Sequence, residues 1–459
     1  MPTTVKDMPV DLLVWGAESV ETLNGAPIDG GWVAITGGRI SAVGGPGSEP
    51  PAAQRLDARG CLVTPGLINT HHHMFQNLTR AVDSAANVDF VTWARTLAPG
   101  WARMDEEAIY VSTWIAFAEL ALGGCTASSD HLFAHPVPRL IDAQIRAAQD
   151  FGFRFHAVRG AIDVGPDEGG VLPSTFVQAV DVILEDSERL VSAYHDRSPE
   201  SMIQVALGPS STFDVSRRLM VEAAELAERL DVRLHTHLLQ LPQEDDLVRA
   251  RLGSGCVDLL EETGWGSDRT WLAHSIFPSE SDMRRLGGWR VGAAHCPSSN
   301  ALISNGVAPV QAMRGAGMPV GLGVDGSAST DHGSMWLEAR TALLLGRMIG
   351  GPAAMTPRDV LEIATRGSAA CLGRSGEIGV LEPGAAADLV VWPQEGVAFA
   401  GSHSDPTEAW LRCGPVSARH TVINGRVVVR AGELAVPGLD DMMRRHRVIA
   451  LEWLAAIRG

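Results

Sequence analysis

The stretch Leu62–Arg80, LVTPGLINTHHHMFQNLTR, runs from an apolar segment straight into three consecutive histidines. An apolar run punctuated by Pro and Gly reads as a buried strand, and successive side chains on a strand alternate faces. His71 and His73 therefore point together, and His72 points away. Two histidines at i and i+2 form a bidentate platform for a divalent cation, since neutral imidazole suits zinc and iron alike. Taken alone, the pair does not separate a metal platform from chance histidines.

Outward from this stretch, about eight short runs rich in Val, Leu and Ala recur between Cys61 and Gly326, most ending in small or polar residues. They are CLVTPGLINTHHH, GGCTASSD, FRFHAVRGAID, IQVALGPSS, VRLHTHLL, TWLAHSIF, RVGAAHCPSS and PVGLGVDGS. Segments with helical spacing, such as DEEAIYVSTWIAFAELAL, lie between them. Strand and helix thus alternate, which predicts an α/β fold, a (β/α)8 TIM-type barrel, with an open doubly wound sheet as the rival. Polar residues at so many strand ends favour the barrel, because barrel sites are built at the C-terminal ends of strands. The flanks read as alternating, Gly-punctuated antiparallel strands and hairpins. The expected organisation is therefore an N-terminal part of a β-sandwich over 1–60, the barrel over 61–374, and the C-terminal part of the sandwich over 375–459. The amphipathic segment LDDMMRRHRVIALEWLAAI is expected to close that sandwich as a helix.

A second i, i+2 pair, His235 and His237, ends the fifth run, and His274, His295 and Asp325 end the sixth, seventh and eighth. A single strand-end histidine is usually a packed, hydrogen-bonded residue. Several on one barrel face, with an Asp on the last strand, converge on one axis and reverse that reading. Lysine is nearly absent: Lys6 is the only one in 459 residues. A P-loop, a Schiff base and a carbamylated lysine each need one in the body of the fold.

The motifs PGLINTHHH, HTHL, AH and GVDGS, with the flanking GEIGVLEPGAAADLVVW, resemble those of the amidohydrolase superfamily over essentially the whole chain. HHHMFQNLTR and GLGVDGSAST are most similar to its cytosine-deaminase-related branch, which also contains s-triazine hydrolases. The resemblance implies His71 and His73 as first-strand metal ligands, His237 as the fifth-strand ligand and Asp325 as the eighth-strand ligand and proton carrier. His274 becomes the sixth-strand histidine that assists the reacting water or leaving group. His235 reads as a packed or supporting residue, His72 as structural, and HCPSSN around His295 as pocket-shaping. Two-metal relatives bridge their ions with a fourth-strand lysine, and IQVALGPSS has none, so one divalent ion is expected, Zn2+ first and Fe2+ second.

The implied activity is hydrolytic deamination of an amino-substituted heterocycle, an oxidised purine or pterin such as 8-oxoguanine or isoxanthopterin, with release of ammonia. Two alternatives stand beside it: an s-triazine hydrolase that displaces chloride or an alkylamine, and a non-catalytic scaffold. The departure from the family pattern is Gln240, where relatives carry a glutamate that moves a proton to the ring nitrogen. An amide cannot carry that proton. Gln240 and Gln76 are read as substrate contacts, Glu244, Asp245 and Asp246 as a surface cluster at a helix start, and Trp93 and Trp101 as core aromatics.

Composition bounds the partners. A net charge of −17 argues against nucleic acid and anionic membranes, which reward clustered cations. Six cysteines without a CxxC pair suggest reduced thiols in a cytoplasm. The N-terminus lacks a signal-peptide pattern, and the best apolar run is broken by Glu119. The expected partner is a small heterocycle, and a homo-oligomer is left open.

Overall fold

The computed structural model describes residues 9–459; Lys6 lies outside them. Eight parallel strands close into a barrel: Leu67–Asn69, Cys125–Leu132, Arg154–Ala161, Ile203–Pro209, Leu234–Leu238, Thr270–His274, Gly292–His295 and Val320–Leu322. Leu322 pairs back to Asn69, so the sheet has no open edge and the doubly wound alternative falls. Seven of the eight strands lie within the apolar runs, and Cys125–Leu132 extends two residues past GGCTASSD. They are almost wholly buried because helices cover them outside and side chains fill them inside, which is why the runs read as continuous rather than alternating. Helices start where the chain supplies caps. Asp105 accepts the Ala108 N–H at the head of Glu106–Leu122, and Ser216 that of Leu219 at the head of Arg217–Leu230.

Beyond the eighth strand, Asp325–Gly326 pairs in parallel with His72–His73. This short ladder joins the first and last strands at the barrel mouth. It brings the three-histidine segment beside the chain's GVDGS motif.

A four-stranded sheet uses residues 10–57, and a seven-stranded sheet draws Cys61–Pro65, Ser19–Val20 and Ile28–Asp29 together with four C-terminal strands between Leu389 and Leu434. Leu12, Val33 and Ile35 of the first sheet share one core with Val63, Leu389 and Val391 of the second. Three expectations are corrected here. Cys61–Pro65 pairs with Leu389–Pro393 in the seven-stranded sheet, so the first barrel strand starts at Leu67 and not at Cys61. The joint is Gly66, where a Cβ would collide with Thr126. The flanking strands are also not all antiparallel: Val10–Trp15 runs parallel to Ala52–Asp57, and Ser19–Val20 to Cys61–Pro65. Finally, the helix Leu439–Arg458 does not close the sandwich. Its Met442 and Trp453 join the barrel's core, and Arg445 pairs with Glu107 at 2.6 Å. Amphipathic spacing fixes that a face is covered, not what covers it.

A buried ion pair ties the two parts. Arg154 on the third barrel strand donates to Asp388 at 2.7 and 3.1 Å, and the Asn424 N–H donates to the same carboxylate at 2.7 Å. All six cysteines are unbonded. Among the described residues no helix is long and apolar enough to cross a membrane.

Candidate metal centre and pocket

Five side chains from three strand ends, the first, fifth and sixth, and from the extension past the eighth strand meet at the mouth. His71 Nε2 and His73 Nε2 lie 3.3 and 3.4 Å from Asp325 Oδ1, and His274 Nε2 lies 3.9 Å from Asp325 Oδ2. His73 Nε2 and His237 Nε2 are 3.2 Å apart. All five residues are buried. His72 turns away, its Nδ1 accepting the His73 N–H. Two of the five adopt left-handed backbone, His274 at φ 69° and Asp325 at φ 61°, a conformation that costs a non-glycine residue energy and clusters at functional sites.

The partners of these rings fix which nitrogen faces the centre. His73 Nδ1–H donates to the His131 carbonyl at 2.7 Å and His237 Nδ1–H to the Ser210 carbonyl at 2.6 Å, leaving both Nε2 atoms as lone pairs. His71 reaches the same state in two steps. His235 Nδ1–H donates to the Trp271 carbonyl at 2.9 Å, so His235 Nε2 accepts from His71 Nδ1–H at 2.8 Å and frees His71 Nε2. His274 Nδ1–H donates to Asn300 Oδ1 at 2.9 Å. Ser299 donates to Asp325 Oδ2 at 2.6 Å.

Burial, aided by neighbouring imidazoles, pushes His73 down to about 3 and His274 to about 4. It pushes His237 well below its ordinary value. Burial alone would raise the Asp325 carboxyl, but the close approach of His71 and the neighbouring His274 and His73 rings holds it well below the usual range. Neutral imidazoles beside an ionised carboxylate are the protonation states that metal ligands need.

The donor set fits a divalent cation. His71 Nε2 and His274 Nε2 are buried without a hydrogen-bond partner among the described residues, and the His73 and His237 lone pairs face each other. Buried unpaired acceptors are costly, and a cation among them relieves all at once. His71, His73 and His237 form one group whose ligand atoms lie within 4.8 Å of one another, and His71, His274 and Asp325 form another.

A cavity opens from this cluster. It is lined by His73, His237, His274 and Asp325, by Gln76 and Gln240, by Ser210, Ser211 and Asp214, and by an aromatic wall of Phe90, Trp93, Trp101 and Phe133. Both glutamines read from sequence therefore line it. Gln76 packs against Gly326 so closely that a Cβ there would strike its amide. Trp93 and Trp101, read as core, face the cavity as well. Glu244 is not part of a surface cluster. It is fully buried, accepting the N–H groups of Leu239 and Gln240 at 3.0 and 2.8 Å and the Thr212 hydroxyl at 3.0 Å, and so shapes the loop that carries Gln240. His295 is buried outside the cavity lining. Sequence reasoning missed Asp214, which sits in a loop whose polar residues carry no spacing signal, and it marked Ser299 and Asn300 only as part of HCPSSN, without the roles that the short helix Pro297–Leu302 gives them.

The model of the amidohydrolase family matches residues 62–428, which spans the whole barrel and much of the C-terminal sheet. The chain belongs to the amidohydrolase family. Among curated amidohydrolase relatives, an 8-oxoguanine deaminase of Pseudomonas aeruginosa is 43% identical over 443 residues, covering 95% of this chain and 98% of that protein. A hydroxydechloroatrazine ethylaminohydrolase of Pseudomonas sp. (strain ADP) is 39% identical, covering 84% of this chain and 81% of its own length. A crystal structure of atrazine chlorohydrolase from Arthrobacter aurescens TC1 complexed with zinc superposes with a TM-score of 0.91 at 32% identity, over 96% of this chain and 100% of that one.

Proposed function

We propose that the chain is a mononuclear metal-dependent aminohydrolase that replaces the amino group of a heterocycle by oxygen and releases ammonia, with an oxidised purine of the 8-oxoguanine type as the preferred substrate. The observation that carries this reading is the convergence of His71, His73, His237, His274 and Asp325 on one point, with unpartnered Nε2 lone pairs aimed inward. His71, His73, His237 and Asp325 would hold the ion, zinc first and iron second. Bound there, such an ion supplies Lewis acidity that brings the pKa of a coordinated water down toward about 7.

The chain's own groups do the rest. Asp325 takes a proton from the attacking water, whose oxygen bonds the ring carbon bearing the amino group, and later gives that proton to the departing amine. His274 has its Nδ1–H held by Asn300, so its Nε2 accepts a hydrogen bond from the water and orients it. Phe90, Trp93 and Phe133 offer flat apolar surface to the ring and exclude bulk water, while Gln76 and Gln240 offer amides to its polar edge. The named 8-oxoguanine deaminase, alike over nearly the full length of both chains, supports the substrate class.

Gln240 together with the two triazine-hydrolysing relatives supports a second reading, in which chloride or an alkylamine leaves the same site. Metal-loaded protein is assayed for ammonia from 8-oxoguanine, guanine, isoxanthopterin, pterin, cytosine and isocytosine, and for chloride or amine from s-triazines. Ammonia from the oxidised purine is expected. Release from triazines alone selects the second reading. No release from any, with less than one ion per chain by elemental analysis, leaves a scaffold.

A further inference from the structure

Deamination of a ring amidine needs two proton carriers, one for water and amine and one for the ring nitrogen beside the attacked carbon. Asp325 serves the first. Gln240 stands where the family resemblance puts the second, and its amide cannot serve. The cavity lining holds one other carboxylic acid, Asp214, from the loop after the fourth strand. We infer that Asp214 is the catalytic residue that protonates and deprotonates the ring nitrogen; this rests on the aminohydrolase reading.

The loop geometry supports it. Ser211 pairs with His237 as an isolated parallel bridge, so the Ser211–Asp214 turn hangs directly beside a proposed ligand. Asp214 is 3% exposed. The Val171 N–H donates to Oδ1 at 2.8 Å and the Ser211 hydroxyl to Oδ2 at 3.2 Å, which aims the carboxyl while leaving a lone pair free on each oxygen. Burial pushes its pKa up to about 6, against the hydrogen bonds from Val171 and Ser211 and the charge of Arg251, and with the help of Glu244. Such a group exchanges protons readily near neutrality.

The step balances. The water oxygen bonds the ring carbon as Asp325 takes one water proton, the C=N pair moves onto the ring nitrogen, and that nitrogen takes the Asp214 proton. The amine then leaves as ammonia with the Asp325 proton, the hydroxyl becomes a carbonyl, and the hydroxyl proton returns to Asp214. Both carboxyls end as they began.

Asp214→Asn is the decisive variant, because its amide oxygen still accepts from Val171 while its proton-carrying capacity is gone. In metal-loaded protein with unchanged metal content, kcat falls about 100-fold or more with KM altered only a few-fold. The decline of kcat/KM as pH rises past about 6, where the wild-type carboxyl loses its proton, disappears, and Asp214→Glu recovers part of the rate. A merely structural Asp214 would leave the pH profile intact. If wild type releases ammonia and Asp214→Asn keeps kcat within about threefold with the same pH limb, this inference is overturned and the aminohydrolase reading stands. If wild type releases ammonia from nothing, both fall.

Discussion

At the scale of single residues, His235 shows how much of a site its ligands leave unstated. Its spacing from His237 matches that of His71 and His73, so sequence alone left a packed role or a supporting one. In the folded chain its Nδ1–H is spent on the Trp271 carbonyl, and its Nε2 holds His71 in the tautomer with a free Nε2. Supporting partners of this kind tune metal affinity by about 10–100-fold. His235→Phe keeps the ring volume and the stacking on Trp271 but removes the acceptor. Zinc affinity by competition with a chromogenic chelator is expected to fall by that factor, with His71 mutation additive to less than the sum. Unchanged affinity would mean that His71 keeps its tautomer unaided. The five converging residues were legible because strand-end periodicity and motif order both bear on them. Asp214 was not, since its position depends on a loop path that no periodicity encodes.

At the scale of elements, the barrel strands were legible as eight apolar runs because burial on both faces imposes one composition on them. The partners of the terminal helix and the start of the first strand were not, because both depend on which apolar surface lies nearby. One inter-element tie links to the site. Glu338, in the helix Met335–Gly350, accepts the Ser298 N–H at 3.1 Å, at the head of the short helix whose Ser299 holds Asp325 and whose Asn300 holds His274. Glu338 is fully buried, and burial pushes its carboxyl up to about 8. A carboxyl raised on folding is neutral in the native chain and ionised in the unfolded one across pH 4.5 to 8, so it favours the unfolded state increasingly as pH rises through that window. Glu338→Gln keeps an oxygen for Ser298 and removes the titration. The stability of Glu338→Gln relative to wild type should therefore grow by about 1.4 kcal/mol per pH unit between pH 5 and 7.5. Paired thermal melts across that range read it, and a constant gap would show that Glu338 is ionised in the native chain.

At the scale of the molecule, the sandwich and the barrel are built from interleaved stretches of chain, so their junction decides whether they melt together. Apolar patterning predicted both parts and said nothing of the junction, because a charged pair buried between parts looks like any surface Arg and Asp in a sequence. Arg154 and Asp388 are 2% and 1% exposed, with the Arg154 guanidinium also donating to the Ser201 carbonyl at 2.6 Å. Removing one partner strands a buried charge, which costs about 3–5 kcal/mol, whereas replacing both by apolar groups of similar volume is often close to neutral. Arg154→Met is therefore expected to lower the melting temperature sharply and to let the sandwich unfold ahead of the barrel. Arg154→Met with Asp388→Leu should recover most of the loss, short of the Asn424 N–H left unpaired. Calorimetry separates the outcomes: a split transition in the single variant, narrowed again in the double, ties the cooperativity to this pair. A single unsplit transition in the Arg154→Met protein would instead place the coupling in the apolar contacts around it.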